Sequence, residues 1–336
     1  MLALSALPAL AAPKLKIAYF EGAYSTIFRK SWEATQAGLA ELGWGDKVEY
    51  PEDAFYAPEK FGNTPKARED AAKELMARTD LALIFSAGSD ATDLLLKHNN
   101  HRTPILGGAI ADPIRAKFVL NEQDSGVDNF TTQLEPGRYK RMFQIFYDEV
   151  GFKRLGLLFV DNPRGRTFAN VDDALEVAAQ RGFEVLQYKV PEGASGEECM
   201  AGLEALKAQG MDAFFMPSVI CFEWKKYDVK KYLDYLTENR VPVFARQGSA
   251  DVHAGALMGF SSVNYTERGR FLAKMAAHIL AGGKPRDLKM VDERPPQISI
   301  NLFVAQQIGF DPSFEILGAS DEIYQDIKLP AERLVK

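Results

Sequence analysis

Arg246 directly follows the apolar run VPVFA (241–245), which places it where a buried strand opens into a loop. A guanidinium there presents a planar pair of donors that suits a carboxylate, although an ordinary surface ion pair uses the same chemistry. The segment Ser86-Ala87-Gly88-Ser89 also follows an apolar run and precedes a helix-period stretch. Small residues and free backbone N–H groups at a helix start attract an anion, and Ser89 with Asp90 serves equally as a plain helix cap. Asp161 closes RLGLLFVD (154–161) and offers either a partner for an ammonium group or an Asx turn. Tyr24, Phe222 and Trp224 fall in loop-like stretches, where aromatic rings cover an apolar part of a ligand or pack locally. Glu21, Asp112, Arg164, Ser218 and Gln247 complete the candidate set, each in the turn after a strand-like run; Asp112 with Pro113 also reads as a rigid turn.

These residues read as binding groups rather than a reaction centre, with an enzyme on a doubly wound fold the less favoured alternative. The sequence has no Gly-x-Ser-x-Gly elbow, His-Glu-x-x-His pair, P-loop or Cys-x-x-Cys pair, and the turn FEGAYSTIF (20–28) carries one glycine where a dinucleotide fingerprint needs three. His98 and His101 in KHNNHRTP lack a carboxylate or cysteine at ligand spacing, so they read as a solvated helix end. The expectation is a binder without catalytic residues, metal or cofactor. A net charge of -6 with no Lys/Arg block excludes the electrostatic footprint of a nucleic-acid partner.

The elements that position the candidates alternate in type. LKIAYF (15–20) is strand-like, and the segment 27–42 sets Phe28, Trp32, Thr35, Leu39 and Leu42 on one helical stripe. The alternation continues through LALIFSA (81–87) and TPILGGA (103–109), then repeats from the helix-period segment 136–151 to VPVFA. Regular β-α alternation implies parallel sheets covered by helices on both faces. A chain of 336 residues also exceeds what one core usually serves, about 150 residues per domain. The expected architecture is α/β, with two doubly wound parallel-sheet lobes. The polar segment NEQDSGVDNFTTQL (121–134) is the natural first crossing between them. The tail supplies a strand (255–263), an amphipathic helix (266–283) and another strand (297–304), which implies two more crossings. The N-terminal lobe is expected to hold 14–127 plus 264–294, and the C-terminal lobe 130–260 plus 298–336. Ligands of open α/β sheets lie beyond the carboxyl ends of strands, where every candidate falls.

The first twelve residues, MLALSALPALAA, are apolar and uncharged and end in an Ala-x-Ala-like pattern, so residues 1–13 read as the remnant of a secretory signal. No other apolar run reaches the ~18 residues that cross a bilayer. Cys199 and Cys221 match no known disulfide framework and read first as two buried thiols, with a disulfide in an oxidising compartment the alternative.

Several segments in concert resemble the bacterial ABC-transporter substrate-binding family that includes tryptophan- and other amino-acid-binding components. They are ALIFSAGSDAT (82–92), IADPIRA (110–116), RLGLLFVDNP (154–163), VPVFARQGSADVHAGALMGF (241–260), YTERGRFLAKMAAHILAGGKPRDL (265–288) and ISINLFVAQQIGF (298–310). Their order spans residues 15–310. The resemblance implies the type I periplasmic-binding-protein fold with a three-crossing hinge. It further implies an exported, periplasmic or extracellular monomer that takes a small-molecule ligand in the cleft between its lobes and hands it to a membrane permease. An amino acid or related carboxylate with an apolar or aromatic side is the expected ligand, a sugar or nucleoside the alternative, and a sensory receptor role the alternative to transport. The loops EGAYSTIF (21–28), PSVICFEW (217–224) and ARQGSADV (245–252) depart from the family pattern, so the fold carries over more readily than the ligand.

Overall fold

The structure, a computed structural model, describes residues 13–261, 265–331 and 333–334. Residues 1–12 of the signal-like segment, and residues 262–264 of the second crossing, which the sequence places near 260–264, lie outside the described residues. The chain forms two compact units: unit 1 runs through Pro136 and takes back Tyr265–Glu293, while unit 2 holds the chain from Gly137 and again from Arg294.

Unit 1 contains β1 (Leu15–Glu21), β2 (Val48–Glu49), β3 (Phe55–Tyr56), β4 (Leu81–Ala87), β5 (Ile105–Gly108) and β6 (Phe130–Thr132). All pairings are parallel in the order β2-β1-β4-β5-β6, with β3 sharing the edge of β1 with β2. β1 and β4 are nearly unbroken apolar runs because helices cover both faces of the sheet. The helices Thr26–Glu41 and Tyr265–Leu280 cross where each carries a glycine. A Cβ on Gly269 would lie 2.3 Å from the carbonyl carbon of Ala34, and one on Gly38 would lie 2.7 Å from the Cβ of Ala273. Small residues therefore set the distance of this crossing, and Leu272, Met275 and Ile279 join Phe20 and Phe85 in the unit 1 core.

The first passage between units corrects the sequence expectation. Residues 121–134 do not form the linker, and the second unit does not start at residue 130. Phe130 is fully buried, Phe130–Thr132 pairs with Ile105–Gly107, and Leu134 bridges Val291 of the same unit. One buried aromatic and two threonines suffice for a short strand; the polar flanks hid it.

Unit 2 contains β7 (Arg154–Val160), β8 (Glu184–Val190), β9 (Ala213–Met216), β10 (Val243–Ala245), β11 (Met258–Phe260), β12 (Ile298–Asn301) and β13 (Ser320–Tyr324), in the order β13-β12-β11-β10-β9-β7-β8. Only β11 and β12 are antiparallel: Phe260 at the end of β11 faces Ile298 at the start of β12, so the chain re-enters the sheet beside the point where it left. The alternation of a strand divides the core into two layers. Phe215 joins Phe143, Phe146 and Phe244 on one face, and Phe214 joins Leu158, Leu203 and Leu236 on the other.

Cys199 and Cys221 form a disulfide, with Cα atoms 5.6 Å apart, which overturns the reading of two plain thiols. Cys199 lies in the helix Gly196–Ala208 and Cys221 in the turn after β9, and both are buried. Only the docking of that helix on the sheet brings the two together. Among the described residues no helix is long and apolar enough to cross a membrane.

Candidate ligand-binding site

In unit 2 the loops after β7, β9 and β10 converge on one side chain. Arg246 leaves β10 with its backbone N–H donating to the Met216 carbonyl, 3.1 Å away, which ties the loop to the end of β9. Its Nε donates to Oδ1 of Asn170 and its Nη1 to Oγ of Ser218, both at 2.6 Å. The guanidinium carbon lies 4.8 Å from the centre of the Tyr139 ring. Nη2 is buried and has no hydrogen-bond partner among the described residues. No acidic residue among those described forms an ion pair with Arg246. A guanidinium held along one edge and supported on one face, with buried donor capacity unspent, is prepared for an anion.

Asn170 is placed for this contact by its backbone. It adopts the left-handed conformation, φ 53°, at the start of the helix Val171–Arg181, which asparagine tolerates better than most residues. It is 1% exposed, and its Nδ2 donates to Asp173 at 3.3 Å. Neither Asn170 nor Tyr139 was among the sequence candidates. Asn170 stands near the head of the helix-period stretch FANVDDALEVAAQRG, and its type, favoured at helix starts, is the available signal; Tyr139 lies in the first turn of Arg138–Val150 and has none.

Other candidates on this unit take different roles. Phe222 is not a loop aromatic facing a ligand: it is 3% exposed and packs on Phe214 and Tyr232, because the disulfide turn folds back onto the sheet. Trp224 is half-buried, and its indole N–H donates to Asp251 Oδ1 at 2.8 Å. Burial pushes the Asp251 carboxyl up to about 6, with the Trp224 hydrogen bond opposing and the Glu223 charge adding to the rise. Asp161 is exposed and paired with Lys189 at 2.8 Å. Arg164 is exposed, 5.2 Å from the centre of the Phe168 ring, and Gln247 is exposed beside Arg246.

In unit 1 the loops after β1, β4 and β5 adjoin. Gly88 N–H donates to the Gly108 carbonyl at 2.9 Å, and Ala111 N–H lies 3.4 Å from Ser89 Oγ. Gly88 has φ 84° and lies under the Phe28 ring, 2.3 Å from where a Cβ would stand, so only glycine fits. Ser86 is buried, with its hydroxyl bonded to Thr92 Oγ1, and it supports the loop from within. Asp112 accepts from the Arg115 backbone N–H at 3.0 Å, the turn-stabilising role. Tyr24 is 52% exposed, with the Arg29 guanidinium 5.5 Å from its ring centre.

Glu21 is fully buried and already engaged: Tyr19 Oη and Arg29 both donate to it, and Arg29 also reaches Glu59 at 2.9 Å. Burial and this carboxylate hold the Tyr19 hydroxyl far above its usual range, while the hydrogen bond to Glu21 raises Arg29. Glu21 therefore does not serve as a ready acceptor for a ligand ammonium. Among the described residues no group of three or more His, Cys, Asp or Glu could hold a metal ion.

Two parallel-dominated α/β sheets, joined by three chain passages and with candidate loops at their carboxyl ends, define a type I periplasmic-binding-protein fold. Residues 200–323 match the family model described as ABC transporter substrate binding protein. The match covers less than half of the chain, and over that stretch the chain is similar to this family. Searched by sequence, the curated proteins contain no match. Among solved structures, an ABC domain in complex with L-Trp from Streptococcus pneumonia is similar at 19% identity, over 92% of this chain and 100% of that one, with a TM-score of 0.70. A ligand-free, open substrate binding protein with adhesive properties from Clostridium difficile is similar at 20% identity, over 94% and 99%, with a TM-score of 0.69. A glucose-galactose binding protein from Geobacillus stearothermophilus shares the fold at 11% identity, over 85% and 97%, with a TM-score of 0.58.

Proposed function

We propose that this chain is the exported solute-binding component of an ABC-type importer and that its ligand is a small molecule bearing a carboxylate, an amino acid or an apolar or aromatic relative. The observation that carries the ligand class is the buried, unpartnered Nη2 of Arg246, on a guanidinium whose other nitrogens are held by Asn170 and Ser218. A protein that buries donor capacity of this kind gains when an anion satisfies it. The disulfide supports export, since such bonds persist in oxidising compartments. A membrane permease is the partner that the family implies, and the L-Trp complex of a similarly folded protein agrees with an amino-acid ligand. A neutral sugar is the second reading, favoured by the polar Asn162 and Gln247 in the loops and by the glucose-galactose binder of the same fold.

A thermal-shift screen of amino acids, aromatic acids, sugars and nucleosides separates the readings. Stabilisation by carboxylates is expected, with a ligand at 100 times its dissociation constant adding about 2.7 kcal/mol. Arg246→Ala should then weaken that ligand by about 1.5–3 kcal/mol, the range for a hydrogen bond to a charged group. Stabilisation by sugars or nucleosides alone sinks the carboxylate reading, and unchanged affinity in the variant removes Arg246 from the site.

A further inference from the structure

At the outer edge of the unit 1 sheet, β1 is paired only near its ends. Leu15 and Lys16 pair with β2, Tyr19 and Phe20 pair with β3, and Ile17 and Ala18 between them have no partner strand on that side among the described residues. Beside this gap lies a pocket of about 450 Å³. Ile17 and Tyr19 of β1, Trp32 and Gln36 of the helix Thr26–Glu41, and Tyr50 and Phe55 of the edge segment line it, all within unit 1.

The walls are aromatic and already arranged. Trp32 and Tyr50 meet edge to face with centroids 5.2 Å apart, and Tyr19 stacks on Phe55 at 4.9 Å. Three polar groups interrupt these walls: the Trp32 indole N–H, the Gln36 carboxamide and the Tyr50 hydroxyl. None has a hydrogen-bond partner among the described residues; the polar atoms of Trp32 and Gln36 are not shut off from solvent, Tyr50 is 36% exposed, and partial burial pushes its hydroxyl up to about 12. At the rim, Lys60 lies 3.8 Å from the Glu52 carboxylate and donates to the Glu52 carbonyl at 2.7 Å, so the two charges oppose each other.

We propose that this notch is a second small-molecule site, independent of Arg246, for a neutral planar ring that carries a hydroxyl or comparable polar substituent. Its volume falls in the range of ligand pockets, and a mostly apolar wall with a few polar groups is the usual composition of such a site. The ring replaces water against four aromatic side chains, while the substituent meets donors that the protein leaves unpaired. The balanced rim charge favours neither an anion nor a cation.

The full chain, labelled with ¹⁵N at its three tryptophan indoles, Trp32, Trp44 and Trp224, is titrated with p-cresol and separately with toluene. The Trp32 signal should shift saturably with p-cresol while Trp44 and Trp224 stay in place, and toluene should bind roughly fivefold more weakly, the worth of one neutral hydrogen bond. Gln36→Leu, at a half-buried helix position, should reduce that preference without lowering the thermal midpoint. An unmoved Trp32 signal, a linear drift of all three signals, or equal affinity for toluene in the unmodified chain overturns the proposal. Because the reporter is local, these results stand apart from any outcome of the carboxylate screen.

Discussion

At the scale of the residue, Asp251 is a carboxylate whose environment dominates its chemistry. It is 6% exposed in the short helix that follows the Arg246 loop, and its hydrogen bond from Trp224 does not offset the loss of water. Its folded-state value of about 6 lies above the 3.8 of an exposed carboxyl, so the folded chain holds this proton more tightly than the unfolded chain. The stability it contributes is complete below about pH 3.8, is lost as pH rises to about 6, and is level above that. Asp251→Asn keeps an acceptor for Trp224 and cannot ionise. It should flatten the stability profile across that window and raise stability at pH 7 by up to roughly 3 kcal/mol. Urea unfolding of both proteins at a series of pH values checks this, and parallel profiles would count against it.

At the scale of the element, the crossing of Thr26–Glu41 with Tyr265–Leu280 secures a helix from late in the chain to a unit made mostly from its beginning. The crossing depends on absent side chains. A methyl at Gly269 would meet the Ala34 backbone, which cannot rotate away, so Gly269→Ala should cost about 1–3 kcal/mol through overpacking. Gly318 provides the contrast: it lies in the helix Phe314–Ala319 with no atom within 4 Å of an added Cβ. Gly318→Ala should be neutral or mildly stabilising, as helix propensity alone dictates. Denaturant midpoints of the two variants decide the point, and equal effects would refute the packing account.

At the scale of the whole molecule, the Cys199–Cys221 bond ties the fold to the compartment in which it matures. It closes a loop with a sequence separation of 22, for which chain entropy assigns about 3 kcal/mol. Reductant should therefore lower the unfolding free energy of the wild-type chain by about that amount and leave a Cys199→Ala/Cys221→Ala variant unchanged. Calorimetry with and without reductant tests both halves, and an unaffected wild-type protein would show that the bond does not matter to stability.

Hydrophobic periodicity alone determined the repeated β-α architecture, because a sheet buried on both faces demands long apolar strands and helices with one apolar stripe. It also determined that the chain passes three times between its units, since strand, helix and strand in the tail exceed what one sheet accommodates. The sequence marked Arg246 and Ser218 separately, each as a residue after a strand. Their direct contact, and the part of Asn170 and Tyr139 in holding the guanidinium, were decided by tertiary structure, which brings together loops up to 76 residues apart. The same reason accounts for β6, Phe222 and the disulfide. Sequence patterns report a residue's own element, whereas a short strand, a turn that folds inward and a pair of cysteines acquire their roles only from what packs against them.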